Sequence, residues 1–162
     1  MLEQKEIVGE VKVIVFRLKD EEYGVEVNQV RSIEKLDHIT RVPRTPKFVK
    51  GVINLRGVVT PIIDLRSRFG LDEAAYTDAT RVIIVAVGEL EVGLIVDAAN
   101  DVIDIPADAI EPAPEVVGGV EAAYLRGVAK LEKRLLILLN LDKVLNTEEM
   151  KQLDSFEGKH HD

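Results

Sequence analysis

The amino-acid sequence predicts an all-β fold in which two five-stranded barrels pack together and a short helix follows at the C-terminus. The first observation is that the apolar runs are short and rich in Val and Ile, as is typical of strands. The second is an internal duplication that divides the chain into two similar halves. The third is composition: 46% of the 162 residues are hydrophobic but only 4% are aromatic, so Val, Ile and Leu must fill the core.

The strand candidates are apolar runs that Gly, Pro or charged residues interrupt. Residues 23–27 alternate apolar and polar side chains, so this strand is expected to show one face to solvent. The short strands indicate barrels or a sandwich. The predicted strands lie at residues 11–18, 23–27, 33–36, 49–55, 58–65, 81–87, 92–96, 102–105, 125–131 and 135–141.

Helix is predicted only in short pieces. A turn at residues 28–32 follows the second strand, and a helix is expected at residues 64–69, where Gly70 is a suitable residue to end it. In the tail, Asn146 is placed to cap a helix whose apolar residues recur at helical spacing.

The duplication appears when the sequence is compared with itself. A shift of 69 residues places 13–16 on 82–85, and a shift of 76 places Gly51 on Gly127. The difference, 76 − 69 = 7, is an insertion in the second half, and it falls in the Pro- and Gly-bearing stretch 106–119. Each half therefore has about five strands in the same order, which is enough to close a small barrel.

The duplication also predicts the domain organisation. Residues 11–80 and 81–145 are expected to form the two barrels, which should pack against each other because a barrel of about 65 residues is marginally stable alone. Residues 1–10 are expected to form a flexible leader, and residues 146–162 a C-terminal helix and frayed tail. The repeat does not assign each strand to a barrel, so some strands can be exchanged between the halves.

Charge and cysteine content exclude several classes of protein. The net charge is −8, so a nucleic-acid partner is not expected. The chain has no cysteine, which excludes disulfides and fits a reducing compartment. Residues 1–10 carry charges throughout and lack the apolar stretch of a signal peptide, and no apolar run is long enough to span a bilayer. We therefore expect a cytoplasmic protein without direct membrane insertion.

The sequence offers no catalytic or metal-binding constellation. His38, His160 and His161 have no partner at metal-ligand spacing, and no cysteine nucleophile is present. The aspartates within residues 97–108 lack the Gly and the closing Glu of a calcium loop and are expected to form a solvated face. We therefore expect a protein that is not an enzyme and that uses no cofactor and no metal.

A hairpin in the first half has the strongest local signal. Two apolar strands flank Arg56-Gly57, and Gly57 supplies the positive φ of a tight turn that presents Arg56 at its tip. Gly51 leaves a strand position bare, which permits close approach of another backbone. Pro61 indicates an edge or a bulge. Spacing alone leaves open whether Arg56 contacts a partner or pairs within the fold.

The hairpin also carries a family resemblance. Residues 51–57, GVINLRG, followed by 61–66, PIIDLR, resemble the signature of the CheW family of chemotaxis coupling proteins, and residues 22–24, 92–97 and 110–114 resemble it as well. The resemblance covers roughly residues 10–150. It implies two five-stranded SH3-like barrels without catalytic residues. It further implies an adaptor that joins the cytoplasmic tips of chemoreceptors to the histidine kinase CheA, whose regulatory domain has the same double-barrel fold.

The resemblance implies a receptor surface on the first half, at Val30, Gly51, Val52 and Arg56. A helical receptor tip would contact Val30 and Val52, and Gly51 would let it approach closely. Ser32 stands where some relatives have an acidic residue, so the local partner of Arg56 stays open.

The kinase is expected to dock elsewhere, because an adaptor must hold both partners at once. Val82, Val102 and Gly127 are the candidates, at exposed strand ends or turns of the second half, although both valines also suit a core. A charged Gly127→Glu variant is expected to spare the core. The protein is expected to be monomeric alone. The alternatives are a stand-alone regulatory or ligand-sensing double barrel related to the kinase regulatory domain, which an interior cavity would favour, and an enzyme of unfamiliar type.

Overall fold

The computed structural model describes residues 9–117 and 119–145, apart from the side chain of Asn100. The helix and frayed tail expected at residues 146–162 lie outside the described residues, and so does nearly all of the leader expected at residues 1–10. Within the described part most residues lie in strands, and the helices are single turns. No described helix is both long enough and apolar enough to cross a bilayer.

The strands follow the predicted pattern closely. Those predicted at 49–55, 81–87 and 125–131 have the predicted bounds. The strand predicted at 135–141 ends earlier, at Leu139, and the single-turn helix α2 (Leu141–Val144) follows it. Three two-residue strands were not predicted. In chain order the strands are β1 (Glu10–Leu18), β2 (Glu21–Glu26), β3 (Val30–Lys35), β4 (Val49–Leu55), β5 (Val58–Asp64), β6 (Arg81–Val87), β7 (Leu90–Val96), β8 (Ala98–Pro106), β9 (Ile110–Glu111), β10 (Val116–Val117), β11 (Val120–Glu121), β12 (Leu125–Leu131) and β13 (Arg134–Leu139).

The longer strands form two sheets. One has six strands in the order β8-β1-β2-β13-β12-β9, and the other has five in the order β3-β6-β7-β5-β4. The hairpin β1–β2 of the first half joins β13 in a parallel pair, and β7 of the second half joins β5 in a parallel pair. Each sheet therefore contains strands from both halves of the sequence, so a division at residue 80 separates the repeats but not the sheets.

The strand exchange is reciprocal. Ile33 of β3 lies opposite Ile83 of β6, and Val102 of β8 lies opposite Ile14 of β1. These are equivalent pairs under the sequence repeat, because 33 + 69 = 102 and 83 − 69 = 14. Both pairings also carry a bulge at the matching place. The duplication predicted from the sequence is thus present in the pairing of the strands.

The buried apolar residues form three clusters. A large cluster lies between the sheets and contains a row of stacked rings, with centroids 5.7 Å apart for Phe16 and Tyr23 and 6.4 Å apart for Tyr23 and Phe69. Each sheet also has a smaller cluster of its own, made of buried aliphatic side chains. In the six-stranded sheet it comprises Val13, Val15, Ile105, Ala129, Leu136 and Leu138, and in the five-stranded sheet Ile62, Val82, Ile84 and Ile95.

The single-turn helix α1 (Leu65–Arg68) follows β5 because Asp64 caps it. Asp64 Oδ1 accepts hydrogen bonds from the backbone N of Arg66 at 2.9 Å and of Ser67 at 3.4 Å. Gly70 has φ +76°, as the prediction of a helix ending there requires. Helix α2 repeats the arrangement in the second half, since the side chain of Asn140 accepts from the backbone N of Asp142 at 3.1 Å.

Candidate functional site

The tip of the β4–β5 hairpin has the geometry expected from its sequence. Arg56 and Gly57 have φ of +53° and +87°, so both central residues of the turn are left-handed. Asn54 Oδ1 accepts a hydrogen bond from Gly57 N at 2.7 Å, which fixes the turn. The chain thereby projects Arg56 into solvent, with 72% of its side chain exposed.

Arg56 has an acidic partner on a different strand. Its Nη2 lies 3.4 Å from Oε2 of Glu34 in β3. The sequence leaves the local partner of Arg56 open, because Ser32 is not acidic. Glu34 lies two residues further along β3, on the same face of the strand. Because alternate residues of a strand share a face, the sequence could have indicated Glu34 as the partner of Arg56. The Oγ of Ser32 itself is buried and has no hydrogen-bond partner among the described residues.

Gly51 is not an open docking position. It is buried, with φ +143°, and a Cβ placed on it would lie 2.1 Å from the carbonyl oxygen of Thr40. Thr40 is held there by its bridge to Val52, whose N donates to Thr40 O at 2.8 Å and whose O accepts from Thr40 N at 2.9 Å. The backbone that approaches Gly51 is therefore the chain's own, and the expectation that a receptor helix fits against this glycine is wrong. No sequence signal indicated Thr40.

Val30 and Val52 are both partly buried. Val30 begins β3 and packs on the large core cluster, whereas Val52 lies in β4 at the opposite edge of the five-stranded sheet. Along β3, Val30 is roughly 13 Å from Glu34, the partner of Arg56, at the usual rise per residue. The grouping of Val30, Gly51, Val52 and Arg56 into one receptor surface stays a prediction.

Two of the three kinase-site candidates are buried. Val82 is 0% exposed in the aliphatic cluster of the five-stranded sheet, so the expectation of an exposed strand end is wrong. Gly127 lies within β12, not at a turn, and a Cβ on it would be 2.4 Å from the carbonyl oxygen of Glu111. Gly127→Glu is therefore not a mild surface change. Neither residue is available for direct contact.

Val102 is exposed, as expected. It lies in β8 at one edge of the six-stranded sheet with 53% of its surface accessible. Its repeat equivalent, Ile33, lies in β3 at one edge of the five-stranded sheet and is 41% accessible. An apolar side chain is costly to leave in water, and an edge strand has unpaired backbone groups beside it. Each sheet thus presents an apolar residue at the same place on an edge strand.

The described residues 9–117 and 119–145 contain no group of three His, Asp or Glu side chains arranged to hold a metal ion. What the hairpin tip and the sheet edges offer is apolar and charged contact area, which suits protein binding.

The model of the CheW-like domain matches residues 12–149 of the sequence. The chain belongs to the CheW-like family. It is 41% identical over 155 residues to the chemotaxis protein CheW of Klebsiella aerogenes, covering 96% of this chain and 93% of that protein. It is 49% identical over 137 residues to CheW of Bacillus subtilis, covering 85% and 88%.

A solved structure shares both the fold and the sequence. The crystal structure of the scaffolding protein TtCheW from Thermoanaerobacter tengcongensis aligns with a TM-score of 0.79 and 37% identity, covering 86% of this chain and 90% of TtCheW. The fold predicted from the sequence, two SH3-like barrels built by duplication, is therefore confirmed. It is the fold of a CheW scaffold.

Proposed function

We propose that this CheW-like chain is a non-catalytic cytoplasmic adaptor that couples the cytoplasmic tips of chemoreceptors to the regulatory domain of the histidine kinase CheA. Family membership supports the class of function. The observation that carries the two-partner role is the reciprocal duplication, because it gives two sheets with matched exposed positions, Ile33 and Val102. Two similar sheets give two docking surfaces that different partners occupy at the same time.

The receptor surface of this proposal is the β4–β5 hairpin and the neighbouring part of β3. Arg56 supplies an exposed guanidinium, and Val30 and Val52 supply partly exposed apolar area. Gly51 contributes indirectly. Because it has no side chain, the backbone of Thr40 can pair with Val52, and this pairing determines how much of β4 is accessible to a partner. Glu34 keeps Arg56 near β3 and competes with any acidic group of the receptor.

The kinase surface of this proposal is the β8 edge of the six-stranded sheet, with Val102 as its exposed apolar contact. The kinase regulatory domain is expected to bind barrel against barrel, as the shared fold suggests. Val82 and Gly127, both buried, shape the sheets and make no direct contact.

The mechanism follows from simultaneous binding. An adaptor that holds receptor and kinase together raises the effective concentration of each for the other. If it binds one conformation of the kinase more tightly, it also biases the kinase toward that conformation. The aliphatic side chains that fill both sheets favour this role over a ligand-sensing barrel.

The test is a reconstitution with a soluble chemoreceptor cytoplasmic fragment and the isolated CheA regulatory domain. Sedimentation velocity should show two binary complexes and a ternary complex in which both partners are bound at once. If the receptor fragment and the kinase domain displace each other from the chain, one shared surface is indicated and the adaptor proposal is contradicted.

A further inference from the structure

The loop between β3 and β4, together with the first two residues of β4, is strongly basic. Residues 41–50, RVPRTPKFVK, place Arg41, Arg44, Lys47 and Lys50 at intervals of three and contain no acidic residue, although the net charge of the chain is −8. A local positive patch on a negative protein attracts anions at short range while the whole molecule repels extended polyanions.

All four cations border one cavity. We name Arg41, Arg44, Lys47 and Lys50 the basic cradle, because together they line a surface cavity of about 540 Å³. Aliphatic side chains stand between the charges. The remaining lining residues are Val42, Pro43, Thr45, Pro46 and Val49.

The backbone of the basic cradle is held in place. At one end Thr40 bridges Val52 through hydrogen bonds of 2.8 and 2.9 Å, and at the other Val49 N donates to Pro46 O at 3.0 Å. Arg44 has φ +63°, an uncommon conformation for a residue with a side chain. A fixed loop loses little conformational freedom on binding, so the cradle is pre-organised for a ligand.

The two lysines of the basic cradle already pair with a carboxylate of the chain, that of Glu73. Glu73 Oε1 lies 2.9 Å from Lys50 Nζ, and Oε2 lies 3.5 Å from Lys47 Nζ. The hydrogen bond from Lys50 lowers the pKa of Glu73 below its ordinary value, with Lys47 adding to the effect. Arg41 and Arg44 are exposed and have neither an ion pair nor a hydrogen bond to any described side chain. Half of the cradle thus holds a carboxylate and half is free.

We propose that the basic cradle binds an acidic segment of a protein partner, with carboxylates of that segment on Arg41 and Arg44. A guanidinium presents two parallel donors that match a carboxylate. The aliphatic side chains between the cations suit a peptide, whose apolar residues alternate with its charges, better than a nucleic acid. This inference does not rest on the coupling function.

The experiment uses fluorescence anisotropy with the full chain and a short labelled peptide of Asp and Glu interspersed with Leu and Val. The chain should bind this peptide, and should bind its Asn/Gln counterpart far more weakly. Affinity should fall as salt rises from about 50 to about 300 mM, because exposed charges are screened. The double variant R41A/R44A should bind about tenfold more weakly.

The matched control is K130A/K133A, which also removes two exposed cations but at the end of β12 and in the β12–β13 turn, away from the basic cradle. Both double variants have the same net charge, −8 − 2 = −10, so an effect of overall charge would weaken both equally and contradict the proposal. A single-stranded oligonucleotide of equal charge that binds more tightly than the peptide and depends on the same arginines would also overturn it. If R41A/R44A melts lower than the wild type, R41Q/R44Q, which keeps longer side chains, replaces it.

Discussion

Arg66 and Asp97 form a partly buried ion pair at the end of the five-stranded sheet, and Asp97 also bonds to a hairpin of the six-stranded sheet. Arg66 Nε in α1 lies 2.9 Å from Oδ1 and 3.2 Å from Oδ2 of Asp97, which follows β7. The same carboxylate accepts a hydrogen bond of 2.8 Å from the backbone N of Lys19, in the β1–β2 turn. Asp97 therefore links α1, which follows β5 of the five-stranded sheet, to the β1–β2 hairpin of the six-stranded sheet.

Replacing Asp97 by Asn should lower the free energy of unfolding by about 2 kcal/mol at neutral pH, since a charged hydrogen-bond acceptor is lost beside Arg66. Burial acts to raise the pKa of Asp97, but hydrogen bonds from Arg66 and Lys19 outweigh it and the pKa lies below its ordinary value. A carboxylate with a lowered folded pKa stabilises above its unfolded pKa of about 4 and loses that contribution as pH falls through the folded pKa. Urea unfolding at several pH values should show the variant and wild type converging in acid.

Asp104→Asn is the matched control for Asp97, because Asp104 pairs with Lys12 in solvent, with side chains 47% and 58% exposed. Its effect should be within about 0.5 kcal/mol. An Asp97→Asn deficit that stays constant from neutral to acid pH would show that lost packing, not the charge, is responsible.

Gly127→Ala should destabilise the chain by about 3 kcal/mol, because the new Cβ would meet the carbonyl oxygen of Glu111 at 2.4 Å and a backbone must move. Gly70→Ala separates this effect from strain in φ: Gly70 has φ +76° but open space around its Cβ position, and should cost about 1 kcal/mol. Thermal and urea unfolding measure both. Equal losses for the two variants would mean that the contact with Glu111 relaxes freely.

Tyr23→Phe should leave the free energy of unfolding unchanged or raise it by up to about 1 kcal/mol. The ring is fully buried between Phe16 and Phe69, and its hydroxyl has no hydrogen-bond partner among the described residues. A buried unsatisfied hydroxyl costs free energy that the phenylalanine avoids. Burial also raises the pKa of Tyr23 to about 12, with Glu21 adding to the effect. A loss of more than about 1 kcal/mol on substitution would reveal a bound water or another partner.

Much of the fold is visible in the sequence because strands have a period of two and Gly marks their special positions. The shift of 76 pairs Gly51 with Gly127, and both prove to be bulge positions covered by a carbonyl oxygen of the same chain. The repeat would also have predicted α2, since Asn140 is the equivalent of Asp64. The pairing of the strands is not visible in the sequence in this way. A pattern of apolar residues defines the buried face of a strand but not which neighbour it pairs with.

The errors at the candidate site have specific causes. The expectation of an exposed Val82 fails because β6, RVIIVAV, is apolar on both faces and so offers no alternation from which burial can be predicted. The expectation of a turn at Gly127 rests on the frequency of glycine in turns, whereas this glycine lies in β12 and makes room for the backbone of Glu111. The partner of Arg56 is Glu34, two residues beyond Ser32 on the same face of β3, and the spacing of alternate strand residues could have identified it. Contacts between distant segments, such as Thr40 with Val52, leave no local signal.

Arg56→Ala should weaken binding of a receptor cytoplasmic fragment at least about fivefold while leaving the melting temperature within about 2 °C of wild type. An exposed ion pair such as that with Glu34 contributes only about 0–1 kcal/mol to stability. Isothermal titration calorimetry measures the binding. Glu34→Gln is the informative companion: it should release Arg56 without removing it, so receptor binding should be kept or strengthened. Unchanged binding with a lower melting temperature in Arg56→Ala would make this arginine structural.

Val102→Glu should abolish or greatly weaken binding of the CheA regulatory domain, because a carboxylate buried in an apolar contact loses its hydration without gaining a partner. Val102 is 53% exposed in the free chain, so the fold should tolerate the change. Ile33→Glu is a matched control at the equivalent position of the other sheet edge, with 41% of its surface exposed. Surface plasmon resonance should show kinase binding lost only in Val102→Glu. If Ile33→Glu loses kinase binding and Val102→Glu keeps it, the kinase docks on the five-stranded sheet instead, and the assignment of the two surfaces is reversed.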